Sequence, residues 1–206
     1  GEKRFLNRAL KIVHQLTQKV MTDGDANLLY HSYKNNKAQI PGFLDDYAFL
    51  AEAFFRIYEN TFEEKWLEKS RDLVDYTIKN FYDEDSGFFF FTHKLNNSLV
   101  ARKNNFFDNV TPSGNSVIFN LMYRLFMIYD REDYLQKCRT ALKSVIPIMP
   151  RSAIAFSNWG VLLMRMVYPS YVAAIVGDKA AAYRDEIRRK FLPNVALAGS
   201  KGKSEI

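Results

Sequence analysis

Two adjacent carboxylates, Asp45 and Asp46, sit in the run Gly42-Phe-Leu-Asp-Asp-Tyr-Ala48, and a third, Asp108, leads into Pro112-Ser-Gly-Asn-Ser116. Paired carboxylates can act as general acid and general base, the chemistry that glycoside hydrolysis and sugar epimerisation require. Asp45, Asp46 and Asp108 are therefore the candidate catalytic groups. Ser113 and Asn115 offer donors and acceptors suited to hydroxyl groups, and Arg102 has a planar fork for a carboxylate or phosphate. His31 offers an imidazole, a side chain that can donate or accept a proton in a pocket. Together with Tyr47 these make a candidate substrate-binding set of His31, Tyr47, Arg102, Ser113 and Asn115. Each also has a plain structural use. Asp, Ser and Asn cap helices and form turns, Arg102 can make a surface ion pair, and His31 can lie on an exposed strand.

These residues fall at the starts of helices. Apolar residues at i, i+3, i+4 and i+7 mark six helical stripes. They run from Phe5 to Val20, Tyr47 to Tyr58, Trp66 to Phe81, Val117 to Tyr129, Tyr134 to Val145, and Trp159 to Met166. Short connections at Asn60 to Trp66 and Asp130 to Tyr134 predict two tight antiparallel pairs. The longer connections read as β-hairpins. One is Leu28 to Tyr33 with Lys37 to Ile40 around Asn35-Asn36, and the other is Gly87 to Thr92 with Ser98 to Lys103 around Asn96-Asn97. The four phenylalanines Phe88 to Phe91 would then need cover on both strand faces, from a partner or from further chain. Toward the C-terminus, Tyr171 to Gly177 reads as a buried strand, Asp178 to Lys190 as a helix and Asn194 to Ala198 as a second strand, a βαβ-like unit. The expected architecture is mainly α, with helical hairpins over residues 1–169 and the βαβ-like extension over 170–206 of the same domain.

Composition narrows the function classes. With 206 residues, 48% hydrophobic and 25% charged, the chain can bury a substantial core. One cysteine rules out an internal disulfide and a thiolate-rich metal site, and Cys138 lies among Tyr134, Leu135, Ala141 and Leu142 as a core residue. His14 and His93 have no liganding partner at metal spacing, so neither a metal nor another cofactor is expected. The +6 charge gathers at Lys179, Arg184, Arg188, Arg189, Lys190, Lys201 and Lys203, which reads as a solvated face; nucleic acid is not an expected partner. No apolar run is long enough to span a bilayer and the charged N-terminus enters a helix directly, so a cytoplasmic location with no membrane partner is expected.

The strings Gly42-Phe-Leu-Asp-Asp-Tyr-Ala-Phe-Leu, Gly87-Phe-Phe-Phe-Phe-Thr, Asp108 with Pro112-Ser-Gly-Asn-Ser116, and Leu192-Pro-Asn followed by Leu197 carry a resemblance over nearly the whole chain. It resembles the C-terminal region of the YyaL-type, spermatogenesis-associated thioredoxin domain-containing family. The resemblance implies a six-hairpin glycosidase-like α/α toroid, related in fold to N-acylglucosamine 2-epimerases and unsaturated glucuronyl hydrolases. It also implies a preceding thioredoxin-like domain, to which no Cys-x-x-Cys or leading βαβ segment here corresponds. Six helices are about half a toroid, so the implied chain is a C-terminal fragment, completed by the missing part of the same protein or by self-association. Fold likeness does not by itself set the reaction. A carbohydrate-processing or carbohydrate-binding toroid and a non-catalytic scaffold supporting the thioredoxin-like domain both follow from it.

Overall fold

The computed structural model describes residues 3–21, 27–96 and 101–202. Seven α-helices dominate these residues: α1 (Lys3–Val20), α2 (Leu44–Thr61), α3 (Glu64–Phe81), α4 (Gly114–Tyr129), α5 (Glu132–Val145), α6 (Ser157–Val167) and α7 (Ala180–Ile187). Six short strands pair two by two. The fold is mainly α, as the apolar stripes require.

Helix α4 is the centre. Every side chain from Gly114 to Leu125 is buried, because α2, α5, α6 and the C-terminal strands pack around it. The two tight turns are made alike: Phe62 after α2 and Asp130 after α4 adopt left-handed backbone at φ 55 and 53, and their N–H groups close onto Tyr58 and Phe126. A single left-handed residue satisfies a terminal carbonyl and reverses the chain within two or three residues.

Strands β1 (Tyr30–Lys34) and β2 (Lys37–Pro41) form the first expected hairpin. Asn35 and Asn36 both take positive φ (51 and 58), the primed turn that matches strand twist. The second hairpin differs from expectation. Strand β4 is only Phe88–Phe89 and pairs with β3 (Tyr82–Asp83), directly off the end of α3, through a turn closed by Gly87 at φ 74. What remains of the expected pairing is a bridge between Phe90 and Asn104 and the Phe91 N–H bond to the Lys103 carbonyl. The expected Asn96-Asn97 turn and Ser98 to Val100 lie in part outside the described residues. The four phenylalanine rings are covered within the chain. Phe88 stacks on Phe106, Phe89 meets Phe119 edge-on, Arg102 lies over Phe90, and Phe91 stacks on Phe43.

Strands β5 (Tyr171–Val176) and β6 (Val195–Ser200) are parallel and joined through α7, a βαβ unit. Burial is reversed from expectation. Strand β6 is the buried one, whereas Tyr171, Val172 and Val176 of β5 are exposed. The reason is local: β6 is clamped to α2 by Tyr58, whose hydroxyl accepts from the Gly199 N–H (2.8 Å) and donates to its carbonyl (3.2 Å). Only glycine fits there, since a Cβ on Gly199 would lie 2.6 Å from the Ile175 carbonyl and from the Phe62 ring. Among the described residues no helix is long and apolar enough to cross a membrane.

Cys138 is fully buried on α5, with its thiol bonded to the Phe119 carbonyl, and burial pushes the thiol pKa up. Thiol titration at pH 8 should therefore give slow labelling of the native protein and one fast equivalent only in denaturant. Fast native labelling would contradict the packing.

Candidate functional site

The starts of α2, α4 and α6 meet at one end of the molecule, together with β1–β2 and the Phe88 to Phe91 segment. Their N-terminal N–H groups lack intrahelical partners and need acceptors. Asp45, Asp46 and Asp108 supply them. Asp46 Oδ2 accepts from the Phe43 N–H (2.8 Å) at the start of α2. Asp45 Oδ1 reaches across to the Gly114 N–H (3.0 Å) at the start of α4. Asp108 Oδ1 accepts from the Ser113 N–H (2.9 Å) and the Ser116 hydroxyl (2.6 Å), while its Oδ2 accepts from the Asn158 N–H (2.8 Å) in the first turn of α6.

The other expected residues divide in the same way. Ser113 caps α4 by accepting from the Ser116 N–H (3.1 Å). Asn115 is fully buried and mimics a peptide: its Oδ1 accepts from the Phe89 N–H and its Nδ2 donates to the Phe89 and Asn105 carbonyls. Tyr47 is also fully buried, and its hydroxyl accepts from the Leu29 N–H (2.9 Å), tying the first hairpin to α2. Arg102 donates to the Thr92 and Asn80 carbonyls; burial holds its guanidinium below the usual range. These four side chains are engaged inside the fold. His31, Asp45 and Asp46, by contrast, line a cavity.

That cavity is a groove of about 1300 Å³ running along α2, between α1 on one side and α7 on the other. Its floor is apolar, with Phe49, Ala53 and Ile57 from α2 facing Phe5, Ile12 and Leu16 from α1. One end carries Arg184 of α7 and Arg188 just after it, the other the carboxylates and His31. His31 Nδ1 faces both Asp46 oxygens (2.9 and 3.2 Å), so beside an ionised carboxylate this nitrogen carries the proton. Asp45 is half-buried, and its Oδ2 has no bond among the described residues. Burial raises its pKa, the Gly114 N–H partly opposes this, and neighbouring Asp46 adds to the rise. A carboxyl group held protonated to higher pH than usual is a competent acid. Among the described residues no cluster could hold a metal ion.

Sequence reasoning missed one functional-looking group. Arg124 is almost wholly buried on α4, ion-paired with Glu52 and stacked over Phe55. Its signal is a lone charged residue in a helix whose other residues are apolar or uncharged.

The two kinds of aspartate should respond oppositely to amidation. Asp45→Asn keeps the Oδ1 acceptor and removes a desolvated charge, so its stability at pH 7 should equal or exceed wild type. Because the folded-state pKa of Asp45 is raised, wild type loses stability as pH rises through that pKa, and the gain should vanish in acid. Asp108→Asn sets an NH₂ against donors and should cost about 2 to 4 kcal/mol. Urea unfolding of both variants at pH 4 and pH 7 measures the contrast.

No protein-family profile matches the chain. It is 33% identical over 166 residues to spermatogenesis-associated protein 20 of Mus musculus, covering 78% of this chain and 21% of that protein. The Homo sapiens protein of the same name is 29% identical over the same length. An uncharacterized Caenorhabditis elegans protein is 23% identical across 100% of this chain and 29% of its own length. The chain is thus homologous to a segment of spermatogenesis-associated protein 20, and it spans about a fifth of that longer protein.

Proposed function

We propose that this chain is the C-terminal wall of an α/α toroid in a longer, thioredoxin domain-containing protein. Its groove along α2 holds a carbohydrate-like, polyhydroxylated ligand. Residues 1–169 form the helical wall and 170–206 a βαβ extension fastened to it, a reading supported by the Tyr58–Gly199 clamp. One observation carries the ligand reading: Asp45, a desolvated carboxyl with an unengaged oxygen, stands beside the Asp46–His31 pair at the end of the groove. Asp45 is the acid in this reading. Asp46 and His31 orient hydroxyl groups, and Phe49 and Tyr30 give apolar and aromatic surface for sugar faces.

A scaffold without catalysis is the second reading, and a different observation favours it. Phe5, Ile12 and Leu16 are exposed along the groove, as an apolar seam meant for further helices would be. The length of the relatives supplies chain enough for such a cover.

The test is turnover by the full-length protein on a panel of glycosides and N-acyl sugars. Asp45→Asn should lower turnover about a hundredfold or more with folding intact, and Asp46→Asn should chiefly weaken binding. Neither turnover nor sugar binding anywhere on the panel would leave the scaffold reading in its place.

A further inference from the structure

At the far end of α2, a second cavity of about 260 Å³ lies between the helical layer and the segment joining α7 to β6. Four cations line it: Arg56 of α2, Arg124 of α4, Arg165 of α6 and Lys190 after α7, with Glu59 as the one lining carboxylate. The nearby acids are already committed. Glu52 pairs with both Arg56 and Arg124, and Glu59 pairs with Arg56. Arg165 and Lys190 have no carboxylate partner among the described residues; Arg165 donates only to the Asn120 amide oxygen (2.9 Å). Arg124, 4% exposed, keeps Nε and Nη1 without a hydrogen-bond partner. Burial first, and then repulsion from Arg56, push the pKa of both Arg124 and Arg165 down. Four cations against two carboxylates leave an excess of two positive charges at a half-closed cavity. Buried cations are retained where an anion satisfies them.

We propose that this cavity is a binding site for a phosphate dianion, bridging the helical layer and the C-terminal βαβ unit through Arg165 and Lys190. The excess of two charges matches a dianion, and planar guanidinium groups suit tetrahedral oxyanions by forked hydrogen bonding. The cavity has room for the phosphate and a small attached group, and it stands independently of the carbohydrate reading of the groove.

Titration calorimetry of the full chain with inorganic phosphate, against sodium chloride at matched ionic strength, tests the site. Saturable one-to-one binding is expected, weakened about tenfold or more by Arg165→Gln and by Lys190→Gln, each checked for folding by circular dichroism. Lys79→Gln, on α3 away from the cavity, should bind as wild type. A second arm compares glycerol 3-phosphate with glycerol: tighter binding than inorganic phosphate identifies a phosphomonoester ligand, and equal binding identifies the free anion. No saturable heat with either phosphate, or unchanged affinity in folded Arg165→Gln and Lys190→Gln, would overturn the proposal.

Discussion

Three helix starts packed together leave N–H groups without intrahelical partners, and the rest of the structure is arranged around satisfying them. An unpaired buried amide costs roughly 1 to 3 kcal/mol, and the positive ends of three macrodipoles repel one another. Asp45, Asp46 and Asp108 answer both demands, since each carboxylate accepts from a helix-start N–H and brings negative charge. Gly114 makes the arrangement sterically feasible. A Cβ there would lie 2.3 Å from Asp45 Oδ1 and 3.0 Å from Leu44 Cγ, so α2 and α4 could not approach as they do.

The same constraint separates the aspartates by role. Asp108 has its two oxygens spent on Ser113, Ser116 and Asn158, which binds three segments into one unit but leaves nothing for a ligand. Asp46 is shared between a backbone amide and His31. Asp45 makes a single bond, and its burial raises its pKa, so the aspartate least engaged in the fold carries a desolvated carboxyl. Partial satisfaction is what makes a buried polar group available for chemistry.

How much of this was legible in the sequence follows from the range of each interaction. Helix stripes and the Asn35-Asn36 turn are local signals, and α1 to α6 and the first hairpin appear where they point. The second hairpin went astray because a run of four phenylalanines reads as one long strand. Its true partner, Tyr82–Asp83, follows α3 without a break, and the turn residues Asp85-Ser-Gly87 were the available cue. Burial of β5 was misjudged for a related reason: apolar composition does not say which of two strands the Tyr58 clamp selects. The candidate site was legible as residue types at helix starts. Which of them face a cavity depended on side-chain contacts such as the one Asp45 makes across 69 residues, a separation that no local pattern encodes.

Charge is distributed along α2 in a way that ties both cavities to one helix. Acids occupy its first turn, where the macrodipole favours them, and Arg56 and Glu59 lie toward its last turns beside Arg124 and Arg165. Helix α2 is thereby exposed to an acidic, half-desolvated site at its start and a cationic one near its end, joined by an apolar groove. Burial disfavours the charged form of Asp45 at one end and of Arg124 and Arg165 at the other. A ligand or a further stretch of chain that supplies hydrogen bonds at one end and negative charge at the other would relieve both, and the free energy it gained would be largest where the fold alone leaves the groups least satisfied.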